Sequence, residues 1–150
     1  MTNPTHCIGL PAQASAHCRV LVLGSMPGVA SLHAAQYYAH PRNRFWPLMS
    51  ALTGIDAGLA YRDRLQALQS AGVGLWDVIG QCERRGSLDT AIVRGSEVPN
   101  AVAELVGRLP LLAAIACNGA TAHAAFVRYI LPALGERASS LAVWSLPSTS

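Results

Sequence analysis

The sequence predicts a three-layer α/β/α fold built on a four-stranded parallel sheet. Three observations lead there: short apolar runs with β-branched residues, segments of helical period between them, and turn-rich polar stretches where each run ends. At 150 residues, 51% of them hydrophobic, the chain can enclose one core of ordinary size and is too short for two.

Residues 1–18 are polar and unpatterned, contain Pro4 and Pro11, and read as an irregular lead-in to a domain at 19–150. Arg19–Gly24 is a continuous apolar run of the kind buried on both faces of a parallel sheet, and Val73–Ile79, Leu111–Cys117 and Leu141–Leu146 repeat the pattern. Between them, Phe45, Leu48, Met49 and Leu52 share one helical face, and Leu65, Leu68 and Ala71 lead to the helix stop Gly72. Val98, Val102, Leu105, Val106 and Leu109 follow helical spacing until Pro110, and Phe126, Ile130 and Leu134 mark a last helix. Strands alternating with helices make an α/β sheet. A buried last strand needs a covering helix on each face, so a C-terminal helix is expected to be missing after Ser150.

Composition narrows the function classes. No run of about 18 apolar residues occurs, and Met1–Leu10 lacks the order of a signal peptide, so a cytoplasmic protein without a membrane partner is expected. Cys7, Cys18, Cys82 and Cys117 form no close pair and read as reduced thiols; neither metal nor cofactor is expected. The net charge of +3 permits a nucleic-acid partner without requiring one. All eleven cationic side chains are arginine, so no side chain can form a Schiff base.

In a parallel α/β sheet, ligands bind beyond the carboxyl ends of the strands. That rule selects residues 24–43, 80–88, 118–121 and 147–150. In the first of these, Gly24-Ser25-Met26-Pro27-Gly28 is a tight loop whose backbone N–H groups can hold an anion or a carbonyl oxygen; it lacks the lysine of a Walker loop. Just beyond it, Tyr37, Tyr38, His40, Arg42, Asn43, Arg44, Phe45 and Trp46 crowd into ten residues. Aromatics beside cations suit a nucleobase and its phosphates, at about 1–3 kcal/mol per stacked base. Phe45 and Trp46 read as core, and Asn43 is also a natural helix cap.

The successive motifs GSMPG, YYAHPRNRFW, GLWDVIGQCERRGSLD, CNGATA and LPSTS resemble those of the hypoxanthine-DNA glycosylase branch of the uracil-DNA glycosylase superfamily. The resemblance runs from about Val20 to Ser150 and implies a monofunctional enzyme that removes hypoxanthine, and uracil or related deaminated bases, from double-stranded DNA in base excision repair. It also implies the four-stranded sheet, no cofactor and, for this branch, catalysis by the asparagine of HPRN, here Asn43. Other branches carry Asp or Asn where Met26 stands, and several carry His where Leu146 stands, which weakens a uracil-specialist reading. A carboxamide cannot serve as a general base, but its oxygen can steer water to a sugar carbon of oxocarbenium character.

The same resemblance implies that Tyr38 stacks on the flipped base, and His40 is near enough in sequence to hydrogen-bond the sugar, a phosphate or Asn43. Gly24, Ser25, Met26 and Pro27 supply the loop against the base or water, and Asp77 is a polar pocket residue or else a cap. Arg42 and Arg44 meet phosphates, and Pro147, Ser148, Thr149 and Ser150 grip the backbone beside the lesion. Asn118-Gly119 reads as the turn from strand to helix, and His6, His17, His33 and His123 show no ligand spacing. The enzyme is expected to act as a monomer. The competing reading is a non-catalytic nucleotide- or DNA-binding α/β domain, including an inactive glycosylase fragment.

Overall fold

A computed structural model describes residues 3–150. Along the chain come β1 (Thr5–Ile8), β2 (Val20–Gly24), α1 (Val29–Ala34), α2 (Phe45–Thr53), α3 (Tyr61–Ser70), β3 (Val73–Asp77) and β4 (Ile79–Arg84). They are followed by β5 (Val98–Pro99), α4 (Val102–Gly107), β6 (Ala114–Asn118), α5 (Ala120–Ala125) and β7 (Ala142–Leu146). A π turn at Phe126–Ile130 and short 3-10 turns at Leu131–Ala133 and Gly135–Ser140 carry the chain from α5 to β7.

The central sheet has the order β3-β2-β6-β7, with all neighbours parallel. Alternation along each strand separates two cores. Leu21, Leu23, Ile115 and Cys117 face α4, α5 and the turns after it, packing with Val102, Val106, Phe126 and Ile130. Val22, Leu75 and Ala116 face the other way, against Phe45, Trp46 and Leu68 of α2 and α3. Helices on both sides of the sheet make the three layers. On the edge strand β7, Trp144 remains 58% exposed.

A second, three-stranded antiparallel sheet, β1-β4-β5, stands beside the first. It corrects three expectations. The N-terminal segment is not wholly irregular: Thr5–Ile8 pairs with Ile8's partner Gln81 through Thr5's partner Arg84, and Gln13 bridges to Leu75. Residues 80–84 are strand rather than loop, because Ile79, Cys82 and Arg84 point inward while Gln81 points out, and Ile79 and Cys82 close a third core with Met26. Val98 belongs to β5, where it pairs with Gln81, so the helix begins at Val102. Proline at 99 interrupts the helical spacing that Val98 otherwise continues.

Register fixes where polar groups emerge. Gly24 pairs with Asp77, and Leu23 pairs with Cys117, so Asn118 lies level with Gly24 and Asp77 at the carboxyl ends. All three sit two residues beyond Val22, Leu75 and Ala116, hence on the face covered by α2 and α3.

Candidate active site

The carboxyl ends of the central strands open into a cavity of about 450 Å³, within the usual range of about 300–1,000 Å³ for small-molecule sites. Every loop selected from the sequence contributes to it except 80–88 in its first half, where the chain is still β4. A shallower hollow of about 530 Å³, between the segment before β2 and the end of α3, lies at the opposite ends of the strands and is lined by His17, Arg62 and Gln66 among others.

Asn43 lines the cavity, half-buried, and its side-chain oxygen accepts the N–H of Phe45 at 2.9 Å. The carboxamide is therefore both a cap for α2 and a wall of the cavity. An amide oxygen has two lone pairs, so the cap fixes its direction and leaves a second acceptor site. What holds this turn is an aromatic lattice. Phe45 and Trp46 are buried as expected, Tyr38 stacks on Phe45 at 4.1 Å, and Phe45 meets Trp46 edge-on at 5.1 Å. The Trp46 indole donates to the Tyr37 carbonyl at 3.0 Å, and the Tyr37 hydroxyl donates to the Pro11 carbonyl at 2.8 Å. Arg64 lies over the Trp46 ring at 4.7 Å.

Tyr38 adopts a left-handed backbone (φ 55°), which a bulky residue rarely takes unless its surroundings impose it. That twist turns its ring onto Phe45 and its hydroxyl inward beside Gly24 and Asn118. The hydroxyl is buried with no hydrogen-bond partner among the described residues, and burial, with Asp77 next, pushes its pKa up. Ser31, buried on α1, supports the turn by accepting the N–H of Ala39.

Asp77 is 4% exposed and lines the cavity. One oxygen packs against Gly24, where any Cβ would collide with it, and Oδ2 has no partner among the described residues. Burial, then the nearby Asp89, push this carboxyl up to about 7, while Arg84 pulls the other way. Arg84 is itself buried and donates to the Pro27 carbonyl, holding the glycine loop from beneath. The carbonyls of Gly24 and Ser25 accept from Val78 and Ile79, which ties that loop to the start of β4.

The structure gathers Gly24, Ser25, Met26, Pro27, Tyr38, His40, Arg42, Asn43, Asp77, Ser148, Thr149 and Ser150 around one cavity. Arg44 and Pro147, also selected, are exposed and lie outside its lining. Arg44 still joins the two halves of the site, because its backbone N–H donates to the Thr149 carbonyl at 2.8 Å.

Sequence reasoning missed the clamping role of Asn118 and missed Asp89 altogether. Asn118 clamps the last loop: its oxygen accepts the Thr149 N–H at 2.9 Å and its amide donates to the Thr149 hydroxyl at 3.0 Å. The turn role assigned to it falls to Gly119 (φ 104°). The strand-end rule did select residue 118, within 118–121, but only a turn was read there, whereas Asp77 was marked by the resemblance. Asp89 accepts a hydrogen bond from the Ser25 hydroxyl at 2.8 Å and had no local signal beyond its place just past the selected loop. Among the described residues, no group of three or more His, Cys, Asp or Glu is arranged to hold a metal ion, and no helix is long and apolar enough to cross a membrane.

Residues 11–150 match the family model described as Uracil DNA glycosylase superfamily. Over 85 residues the chain is 41% identical to a protein of Methanosarcina barkeri (strain Fusaro) named Hypoxanthine DNA glycosylase, covering 56% of this chain and 54%, about half, of that protein. It is 37% identical over 112 residues to a protein of the same name from Methanosarcina acetivorans, covering 74% of this chain and 70% of that one. The solution NMR structure of a "putative Uracil DNA glycosylase" from Methanosarcina acetivorans superposes with a TM-score of 0.81 at 31% identity, over 97% of this chain and 86% of that one.

Proposed function

The chain belongs to the uracil DNA glycosylase superfamily, and from that premise we propose that it is a monofunctional DNA glycosylase that releases deaminated bases, chiefly hypoxanthine, from double-stranded DNA in base excision repair. The observation that carries the reading is the Asn43 carboxamide, held by the Phe45 N–H at the wall of a cavity whose other polar groups arrive from the ends of β2, β3, β6 and β7. The names of the Methanosarcina relatives favour hypoxanthine as the base.

The target nucleotide swings out of the duplex at a cost of a few kcal/mol, lower at a mispair, and its base enters the cavity. Tyr38, backed by Phe45, offers a rigid aromatic surface, and the Gly24–Pro27 loop and Asp77 meet polar edges of the base. At the exposed rim, His40 and Arg42 approach sugar and phosphate, with Arg44 outside the cavity on the neighbouring backbone. The Ser148–Ser150 segment, clamped by Asn118 and Arg44, holds the strand beside the extruded nucleotide.

With the base fixed, the bond from sugar to base stretches and positive character grows at C1′. Asn43 does not take a proton. Its free lone pair holds a water molecule by one hydrogen, so that the water oxygen faces C1′. With no lysine anywhere in the chain, the product is a hydrolysed abasic site rather than a β-eliminated strand.

The test is base release from matched duplexes bearing deoxyinosine, deoxyuridine, deoxyxanthosine or a G·T mispair. Release from deoxyinosine at the highest rate supports the proposal. Binding to all four without release from any would replace it with a binding module.

A further inference from the structure

We propose that Asp77 is the acid of this reaction, passing the proton of its carboxyl to a ring nitrogen of the purine as the bond between C1′ and N9 breaks. The inference rests on the glycosylase reading above and adds a second chemical group to it. The first support is geometric: Asp77 ends β3 level with Gly24 and Asn118, is 4% exposed, and lines the cavity. The second is its unused Oδ2, buried with no hydrogen-bond partner among the described residues. A bare buried carboxylate oxygen carries a desolvation cost that the neutral acid largely avoids.

The third support is the set of groups facing it. Asp89, just beyond β4, lies in the same cavity, and Arg84 of β4 and the hydroxyls of Tyr37 and Tyr38 complete the charged and titratable neighbours. Arg84 forms no ion pair with Asp77; its guanidinium donates to the Pro27 carbonyl. A nearby like charge adds to burial in disfavouring ionisation of a buried carboxyl. Asp89 is half-exposed and receives the Ser25 hydroxyl, so it lies in more polar surroundings than Asp77, which is buried with an unpartnered oxygen. Burial with Asp89 pushes Asp77 up to about 7, so a substantial share of the carboxyl keeps its proton near neutrality and can transfer it. His40 and Arg42, the remaining titratable and charged side chains lining the cavity, are exposed at its rim, where His40 Nδ1 accepts the Arg42 backbone N–H.

In the step itself, N9 keeps the electron pair of the broken bond and the base takes up the Asp77 proton at N7 or N3, so hypoxanthine leaves neutral. Water held by Asn43 adds its oxygen to C1′ and releases one proton to the Asp77 carboxylate, directly or through solvent. The acid is restored, and the products are the free base and a 1′-hydroxyl sugar.

Single-turnover release from a deoxyinosine duplex across pH 5 to 9 tests this with wild type and Asp77→Asn. Wild-type release should fall above about pH 7, and the variant should lose about a hundredfold or more at acid pH together with that falling limb. A duplex bearing 7-methyl-2′-deoxyinosine presents a base that is already cationic and departs without a proton. Enzyme-dependent release from it should be nearly the same for both proteins. An equal loss on both duplexes, or a falling limb retained by the variant, overturns the acid role. If wild type binds the deoxyinosine duplex and releases nothing, the glycosylase reading has failed; wild-type release matched by the variant sinks the acid role alone.

Discussion

Replacing Asp77 by Asn should change how stability depends on pH, whether or not any DNA is present. The carboxyl is 4% exposed and is raised from 3.8 to about 7 by burial first and by Asp89 second. The native state therefore holds the proton more tightly than the unfolded chain does. Below about pH 4 the acid is protonated in both states and the shift contributes nothing. As pH rises toward 7 the unfolded chain ionises first, and stability falls by up to about 1.4 kcal/mol per pH unit. Above about pH 7 both forms are ionised and the loss levels off at an upper bound of about 4 kcal/mol. That is a large part of the roughly 5–15 kcal/mol that holds a domain together. Asparagine has no such proton, and any cost of its own buried amide is constant with pH. Urea unfolding of both proteins at about pH 4 and about pH 8 isolates the effect, because the other titrating groups are shared. The variant should gain on wild type by a few kcal/mol between the two conditions. A difference that stays the same at both pH values would mean that Asp77 titrates like a solvated or paired acid, and the reasoning from its orphaned oxygen would be wrong.

Gly119→Ala should destabilise the protein by about 1–3 kcal/mol, because a φ of 104° with ψ of 161° is a region reserved for glycine and its Cβ would press on Ser148; thermal unfolding reads the loss, and a change under a few tenths would contradict the account. Phe45→Ala should cost about 3–5 kcal/mol and remove the support under Tyr38, measurable as a lower urea midpoint. Asn118→Ala should leave the core intact and free the Thr149 loop, seen as weaker binding to a duplex holding a non-cleavable deoxyinosine analogue. Unchanged binding would remove the clamp from the site. Borohydride should trap no adduct on any side chain, and strand breakage should require added alkali.

Much of this was readable from the chain. Buried parallel strands must be continuously apolar, so β2, β3 and β6 announced themselves. β7 showed the same apolar run although, as an edge strand, it is mostly exposed rather than buried on both faces. The strand-end rule then selected most of the cavity. β1, β4 and β5 escaped because a short strand with one solvated face has too few inward residues to stand out: in β4, glycine at 80 and arginine at 84 break the expected alternation. Arg84 is instructive, being a charged residue buried to hold the Pro27 carbonyl, which no hydropathy pattern reveals. Asn43 was foreseen both as a cap and as a cavity residue, and its two lone pairs allow both. The Asp89 pairing with Ser25 joins residues 64 positions apart, and the orphaned oxygen of Asp77 depends on how distant strands pack around it, both beyond any local pattern.

The central claim is that the Asn43 amide oxygen steers the attacking water. Its most direct test is hypoxanthine release under single turnover by Asn43→Ala, with Asn43→Ser retaining the helix cap as the control for stability. Both variants should bind the deoxyinosine duplex, and Ala should release base about a hundredfold more slowly than wild type, the scale of a lost positioned polar group. Release at the wild-type rate by a folded Asn43→Ala protein would contradict the account at its root.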